Sequence, residues 1–221
     1  MEPPPDLVTW RKEQRGVLLA RRGAVPAVER GQWDRSIEAR LEADFPLLGR
    51  MTLGFYWPFP GEFDARSLIG QLRTQGARVA LPVVIAKKHP LEYREWWPGV
   101  AMKAGAMDIL APEGTPVLVP DAVLMPPVGF SEEGARLGYG AGYFDRTLAS
   151  LHPQPLKIGV AYELQRMPTI YPQPHDVLMD FVVTEAATYA VEASGLKPVT
   201  AAECSRRADA LAAARGLPRP V

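Results

Sequence analysis

A chain of 221 residues, 47% hydrophobic and 23% charged, is long enough for one domain with a sizeable core and too apolar to remain disordered. Its 25 basic residues balance 25 acidic ones, so no global field recruits nucleic acid or an anionic membrane surface, and neither is expected as a partner. The single cysteine, Cys204, excludes an internal disulfide framework and suits a reducing, cytoplasmic setting; no run nears the roughly 18 apolar residues of a membrane span, and the amino terminus lacks the order of a signal peptide.

Asp6 to Ala24 is basic and helix-permissive, with Val8, Leu18 and Leu19 as apolar anchors, and Pro26 closes it. Ala27 to Phe45 sets Val28, Ile37 and Leu41 at helical spacing and predicts a second helix. Met51 to Tyr56 predicts a strand, Trp57-Pro-Phe-Pro-Gly-Glu62 a rigid turn, and the stretch from Asp64, with Leu68, Ile69 and Leu72, a helix ended by Gly76. Arg78 to Ile85 is then a second strand region, and strand–helix–strand units require parallel pairing. Val83–Ala86 and Leu91–Trp96, separated by Lys88-His-Pro90, read as a hairpin inserted on the sheet. Ala122–Met125, Lys157–Tyr162 and Asp180–Val183 complete the predicted strands, with a helix over Tyr143–Leu151. The fold expected is α/β, a single three-layer domain whose mostly parallel sheet is flanked by helices, plus the small hairpin insertion. After Glu185 the chain is Ala-rich and weakly patterned, with Glu203–Arg215 its one plausible helix.

The segment from Val128 to Arg146 carries the most chemistry. Gly138, Gly140 and Gly142 alternate just before a helix, so the backbone can turn sharply and aim amide hydrogens at an anion facing the positive end of that helix. Arg136 and Arg146 bracket the loop with charge, and Asp145 can ligate Mg²⁺ against the same phosphates. The spacing matches neither the P-loop nor the dinucleotide fingerprint. His175, a lone histidine beside Pro174, is assigned no role.

Arg136-Leu-Gly-Tyr-Gly-Ala-Gly-Tyr-Phe-Asp-Arg146 resembles the ATP loop of the 5-formyltetrahydrofolate cyclo-ligase family. The basic first helix, Gly61-Glu-Phe-Asp64, Ala80-Leu-Pro-Val-Val84, Trp97-Pro-Gly99, Ile158-Gly-Val-Ala-Tyr-Glu163 and His175-Asp176 follow in that family's order, so the resemblance covers about Arg11 to Glu185. It implies ATP-driven, Mg²⁺-dependent closure of 5-formyltetrahydrofolate to 5,10-methenyltetrahydrofolate, with ATP and a reduced folate as partners of a monomer or weak homo-oligomer. Residues 1–185 would form the ATP/folate domain and 186–221 a peripheral tail of it. ATP would be held by Arg11, Arg15, Arg136, Gly138, Tyr139, Gly140, Ala141 and Gly142. The metal would sit on Asp145 and Asp176, the folate on Trp57, Glu62 and Tyr143, and Arg136 and Tyr143 would be catalytic. Asp180 reads as a strand-start residue.

Arg11 stands where the family has Lys, exchanging a compact ammonium for a planar fork. Ala141, Phe144 and the Trp57-Pro-Phe-Pro60 turn are further departures, the last on the folate side. Two other readings therefore stand beside the first: an ATP-binding paralogue acting on another small molecule, and a non-catalytic nucleotide- or folate-binding regulator.

Overall fold

Asp6 accepts a hydrogen bond from the Thr9 amide at 3.0 Å and so starts α1, Leu7–Gly23, in the computed structural model, which describes residues 2–106 and 109–218. Arg21 and Arg22 in its last turn complement the helix dipole, and Pro26 holds the residue position just before α2, Ala27–Asp44. The order then runs β1 (Thr52–Gly54), α3 (Arg66–Thr74), β2 (Arg78–Val83), β3 (Glu92–Glu95), β4 (Met102–Ala104), β5 (Leu110–Pro112), β6 (Val117–Leu118) and β7 (Ala122–Met125). It continues through β8 (Gly129–Ser131), β9 (Arg136–Leu137), α4 (Tyr143–Ser150), β10 (Leu156–Val160), β11 (Arg166–Met167), β12 (Phe181–Val183), β13 (Thr188–Glu192), β14 (Gly195–Val199) and α5 (Ala201–Ala214).

Nine strands form the middle layer in the order β14-β13-β12-β10-β7-β1-β2-β3-β6. The five from β12 to β2 are parallel, and two antiparallel strands extend each edge. Every residue of β7 and β12 is buried, as continuous apolar strands covered on both faces must be. On one face α2, α3 and α5 bring Ile37, Leu41, Leu68, Ile69 and Ala208 against Leu53, Leu124, Ile158 and Phe181. On the other, Leu148 of α4 joins Val123, Met125 and Val182. A small sheet, β11-β8-β9, carries α1 through Leu18, Val128 and Leu137.

The expected hairpin is present, but it pairs Ala80–Val83 with Glu92–Glu95 and so lies within the main sheet. The larger difference follows Glu185. In place of a peripheral tail, β13 and β14 continue the sheet and α5 buries Cys204, Ala208 and Ala212 in the main core. Arg215 fixes the far end of α5 to Asp180 by two bonds of 2.7 Å, and Asp180 also accepts the Lys157 amide at 2.8 Å. Asp180, expected only to start a strand, is thus also a clamp.

Candidate active site

Chain order reverses direction between β1 and β7: from β1 the sheet grows to β2 on one side and through β7 to β10 on the other. In open α/β sheets ligands settle outside the carboxyl ends of strands at such a switch point. Here Tyr56 and Trp57 leave β1, Val84 leaves β2 and Met125-Pro-Pro127 ends β7, and all of them line one cavity of about 570 Å³. Every site residue expected from the sequence lines it too: Arg11, Arg15, Trp57, Glu62, Arg136, the loop from Gly138 to Tyr143, Asp145 and Asp176.

The loop is built as an anion cradle. Gly140 and Gly142 take φ of 100° and 63°, values that aim successive amides the same way and that side chains resist. Among the described residues, no backbone N–H from Gly138 to Asp145 donates to a protein acceptor. Donors left open at the start of α4 are what an anion requires. The loop carbonyls are occupied instead: Gly138 O accepts Arg15 Nε at 2.7 Å, and Ala141 O accepts Arg146 Nη2.

The cations around the cradle differ in their partners. Arg136, 6% exposed, donates to Val177 O at 2.7 Å and to Asp145 Oδ1 at 2.6 Å; burial pulls its pKa down, and Asp145 and Asp176 oppose that. Arg11 donates to Ile170 O, Tyr171 O and Asp176 Oδ2, the last at 2.7 Å. Arg15 has no carboxylate partner among the described residues, and burial first, then Arg11, lowers its pKa. It stays charged, as guanidinium does in proteins.

Asp145 also accepts the Val177 amide on Oδ1, while its Oδ2 accepts nothing among the described residues. Asp176 takes Arg11 and the Gln173 amide on Oδ2, and its Oδ1 lies 3.8 Å from His175 Nε2. Burial raises the Asp176 pKa, but the Arg11 and Gln173 hydrogen bonds outweigh it and leave the carboxyl below its ordinary value. Two carboxylates, each with an oxygen that accepts no hydrogen bond among the described residues, beside a phosphate cradle fit Mg²⁺, which takes one or two protein carboxylates plus phosphate oxygens and water.

Glu62 lines the same cavity, its Oε2 bonded to the Phe59 amide at 2.9 Å. Burial pushes its pKa up, and Tyr139, Phe59 and Arg22 pull back. Trp57 lines the cavity too, with the Arg66 guanidinium 4.8 Å from its ring centroid, and the Arg146 guanidinium lies 5.5 Å from that of Tyr143. Arg22, Tyr56 and Phe59 were not singled out from the sequence. Arg22 was findable, seven residues after Arg15 and therefore on the same face of α1; Tyr56 and Phe59 give no signal beyond their place beside Trp57. Trp97 of the Trp-Pro-Gly motif is not among the cavity residues.

The model of the 5-formyltetrahydrofolate cyclo-ligase family matches residues 8–185. The chain belongs to that family. It is thus an enzyme of the ligase class. A cyclo-ligase of Mycolicibacterium smegmatis is 30% identical over 185 residues, covering 79% of this chain and 93% of that protein. The Escherichia coli cyclo-ligase is 28% identical over 184 residues, covering 78% and 99%. Among solved structures, the Aquifex aeolicus 5,10-methenyltetrahydrofolate synthetase aligns with a TM-score of 0.72 at 26% identity, over 82% of this chain and 93% of that one. The family match stops at residue 185, where the antiparallel extension of the sheet begins. No described helix is long and apolar enough to cross a membrane.

Proposed function

We propose that this cyclo-ligase converts 5-formyltetrahydrofolate to 5,10-methenyltetrahydrofolate with consumption of ATP, release of ADP and phosphate, and assistance from Mg²⁺. The observation that carries the reading is one cavity lined by open loop amides, by Arg15, and by the Glu62 carboxylate with aromatic walls.

The formyl oxygen is a poor leaving group until it carries phosphate. It attacks the γ-phosphorus, a P–O bond forms, and the bond to ADP breaks with its electron pair leaving on ADP. N10 of the folate then attacks the activated carbon and loses its proton. The carbon–oxygen bond breaks, the oxygen and its electron pair depart as phosphate, and the five-membered cation remains. Such chemistry needs alignment and charge neutralisation more than an ionised nucleophile.

The amides from Gly138 to Asp145 and the Arg15 guanidinium bind and orient the triphosphate. Asp145 and Asp176 would hold Mg²⁺, which neutralises phosphate charge when bound. Arg136 and Arg11 fix these two carboxylates by bonds of 2.6 and 2.7 Å. Tyr143 would stand between phosphate and folate, Trp57 would wall the pterin, and Glu62 would accept one of its N–H groups; all three line the cavity. With water kept from this cavity, the activated intermediate closes before it hydrolyses.

The test is to mix the protein with ATP, Mg²⁺ and 5-formyltetrahydrofolate and follow the absorbance of the methenyl product. Product that requires both ATP and Mg²⁺ is expected, and its absence refutes the reading. One observation favours a second reading, a paralogue with another substrate: the Phe59 amide of the divergent Trp57-Pro-Phe-Pro60 turn bonds directly to Glu62. ATP hydrolysis without a methenyl product across several reduced folates would support it.

A further inference from the structure

Glu62 is held by three donors, and two come from far along the chain. Oε1 accepts the Tyr139 hydroxyl at 2.5 Å and Arg22 Nη1 at 3.4 Å, while Arg22 Nη2 donates to the Tyr139 oxygen at 2.9 Å. The three side chains close a ring of hydrogen bonds. Arg22 and Glu62 are 4% and 2% exposed in their side chains, so water competes weakly for these bonds. A carboxylate offers about four acceptor sites. Among the described residues two on Oε1 and one on Oε2 are taken, which leaves one on Oε2 for a substrate N–H.

We infer that Arg22 and Tyr139 are positioning residues that lock Glu62 with one acceptor site for the substrate, and that Tyr139, as part of the phosphate loop, couples nucleotide binding to substrate binding. The inference rests on the reading above, with a nucleotide at the loop and a folate at Glu62. Tyr139 lies between Gly138 and Gly140, residues of wide backbone freedom, and among the described residues no amide from Gly138 to Asp145 has a protein acceptor to hold it. Phosphates bound by those amides fix the chain on both sides of Tyr139. The hydroxyl is then already ordered when Glu62 meets its ligand, and the ordering cost is met once for two binding events. Linkage makes the effect reciprocal: folate tightens the nucleotide by the factor by which the nucleotide tightens folate.

Titration calorimetry tests this with a non-hydrolysable ATP analogue plus Mg²⁺ and with 5-formyltetrahydrofolate, each alone and each in the presence of the other. In the wild type each ligand is expected to tighten the other by about tenfold, within the usual range of coupling. Tyr139→Phe keeps the ring on Phe59, whose centroid is 5.1 Å away, and removes only the hydroxyl. Its coupling factor is expected to fall to near one, and folate alone to bind more weakly, because Glu62 loses one of the bonds that lock it. Arg22→Lys retains the charge without the fork, and an intermediate coupling factor is expected. Unchanged coupling in Tyr139→Phe, or a wild type that binds both ligands independently, overturns the inference. A wild type that fails to bind the folate or the nucleotide overturns the functional reading itself, and the inference with it.

Discussion

Arg15→Ala separates the binding of phosphate from the stability of the fold. Arg11 and Arg15 lie four residues apart on one face of α1, yet only Arg11 is neutralised, by Asp176 at 2.7 Å. Among the described residues Arg15 makes a single hydrogen bond, Nε to Gly138 O, and its Nη atoms reach the edge of the loop, 3.5 and 3.6 Å from where a Cβ on Gly140 would stand. Losing that one bond costs about 1 kcal/mol of stability, and relief of the Arg11–Arg15 repulsion offsets part of it. On the ligand side, two charge-assisted bonds from the Nη groups to phosphate are together worth roughly 3–6 kcal/mol. At about 1.4 kcal/mol per tenfold, the dissociation constant for ATP rises at least about 100-fold. The melting midpoint moves by only a few degrees, roughly 2–4 °C per kcal/mol at this size. Calorimetric titration with the ATP analogue, beside a thermal melt of the same sample, reads both quantities. Affinity within about tenfold of wild type, well short of what two such bonds supply, would refute this placement of the triphosphate.

Arg136→Ala is expected to act the other way round. It strips a buried ion pair and leaves Val177 O without its donor, so about 3–5 kcal/mol of stability should disappear in urea unfolding. Gly134→Ala tests the docking of β13. Gly134 has φ of 76°, and a Cβ there would stand 2.4 Å from Val191 Cγ1, so a loss of about 2–4 kcal/mol in the same assay is expected. The Asp176 carboxyl is depressed below 3.8, so its contribution is present above that value and is lost as pH falls through the lower folded value. Melting midpoints of wild type should therefore fall more steeply with acid below about pH 4 than those of Asp176→Asn, and parallel curves would contradict the Arg11 pairing.

The parallel core was legible because each of its strands is a short apolar run with turn residues at both ends. Ala122-Val-Leu-Met125 is the clearest case. The first two helices were legible from Asp6, Pro26 and the spacing of Ile37 and Leu41. Thr188–Glu192 and Gly195–Val199 were not, since the second contains Pro198, which argues against a strand. The sheet tolerates it because β14 is the last strand of the sheet, where an N–H need not belong to a ladder. The small residues Cys204, Ala208 and Ala212 looked like weak patterning, yet they recur every four positions and form the buried stripe of α5. In the site, the cradle and its cations could be read from spacing and resemblance. The bond between Tyr139 and Glu62 could not, because it joins residues 77 positions apart on elements that only the completed sheet brings together.

Three arginines on α1 carry the same charge and occupy one helical face, and their surroundings give them different work. Arg11 is bound to Asp176, Arg15 faces the open loop, and Arg22 holds Glu62 and Tyr139. At about 1.5 Å per residue, positions 11 and 22 stand roughly 16 Å apart along the axis. The helix therefore sets the separation of Asp176 from the Glu62–Tyr139 pair. Leu18, between Arg15 and Arg22, seats α1 on the small sheet, where a Cβ on Gly129 would come within 2.6 Å of Leu18 Cδ1. One residue inserted after Leu18 would turn Arg22 about 100° off that face and leave Arg11 and Arg15 in register. Nucleotide affinity should then survive while folate affinity falls. An insertion that weakened both ligands equally would show that α1 does not act as the ruler.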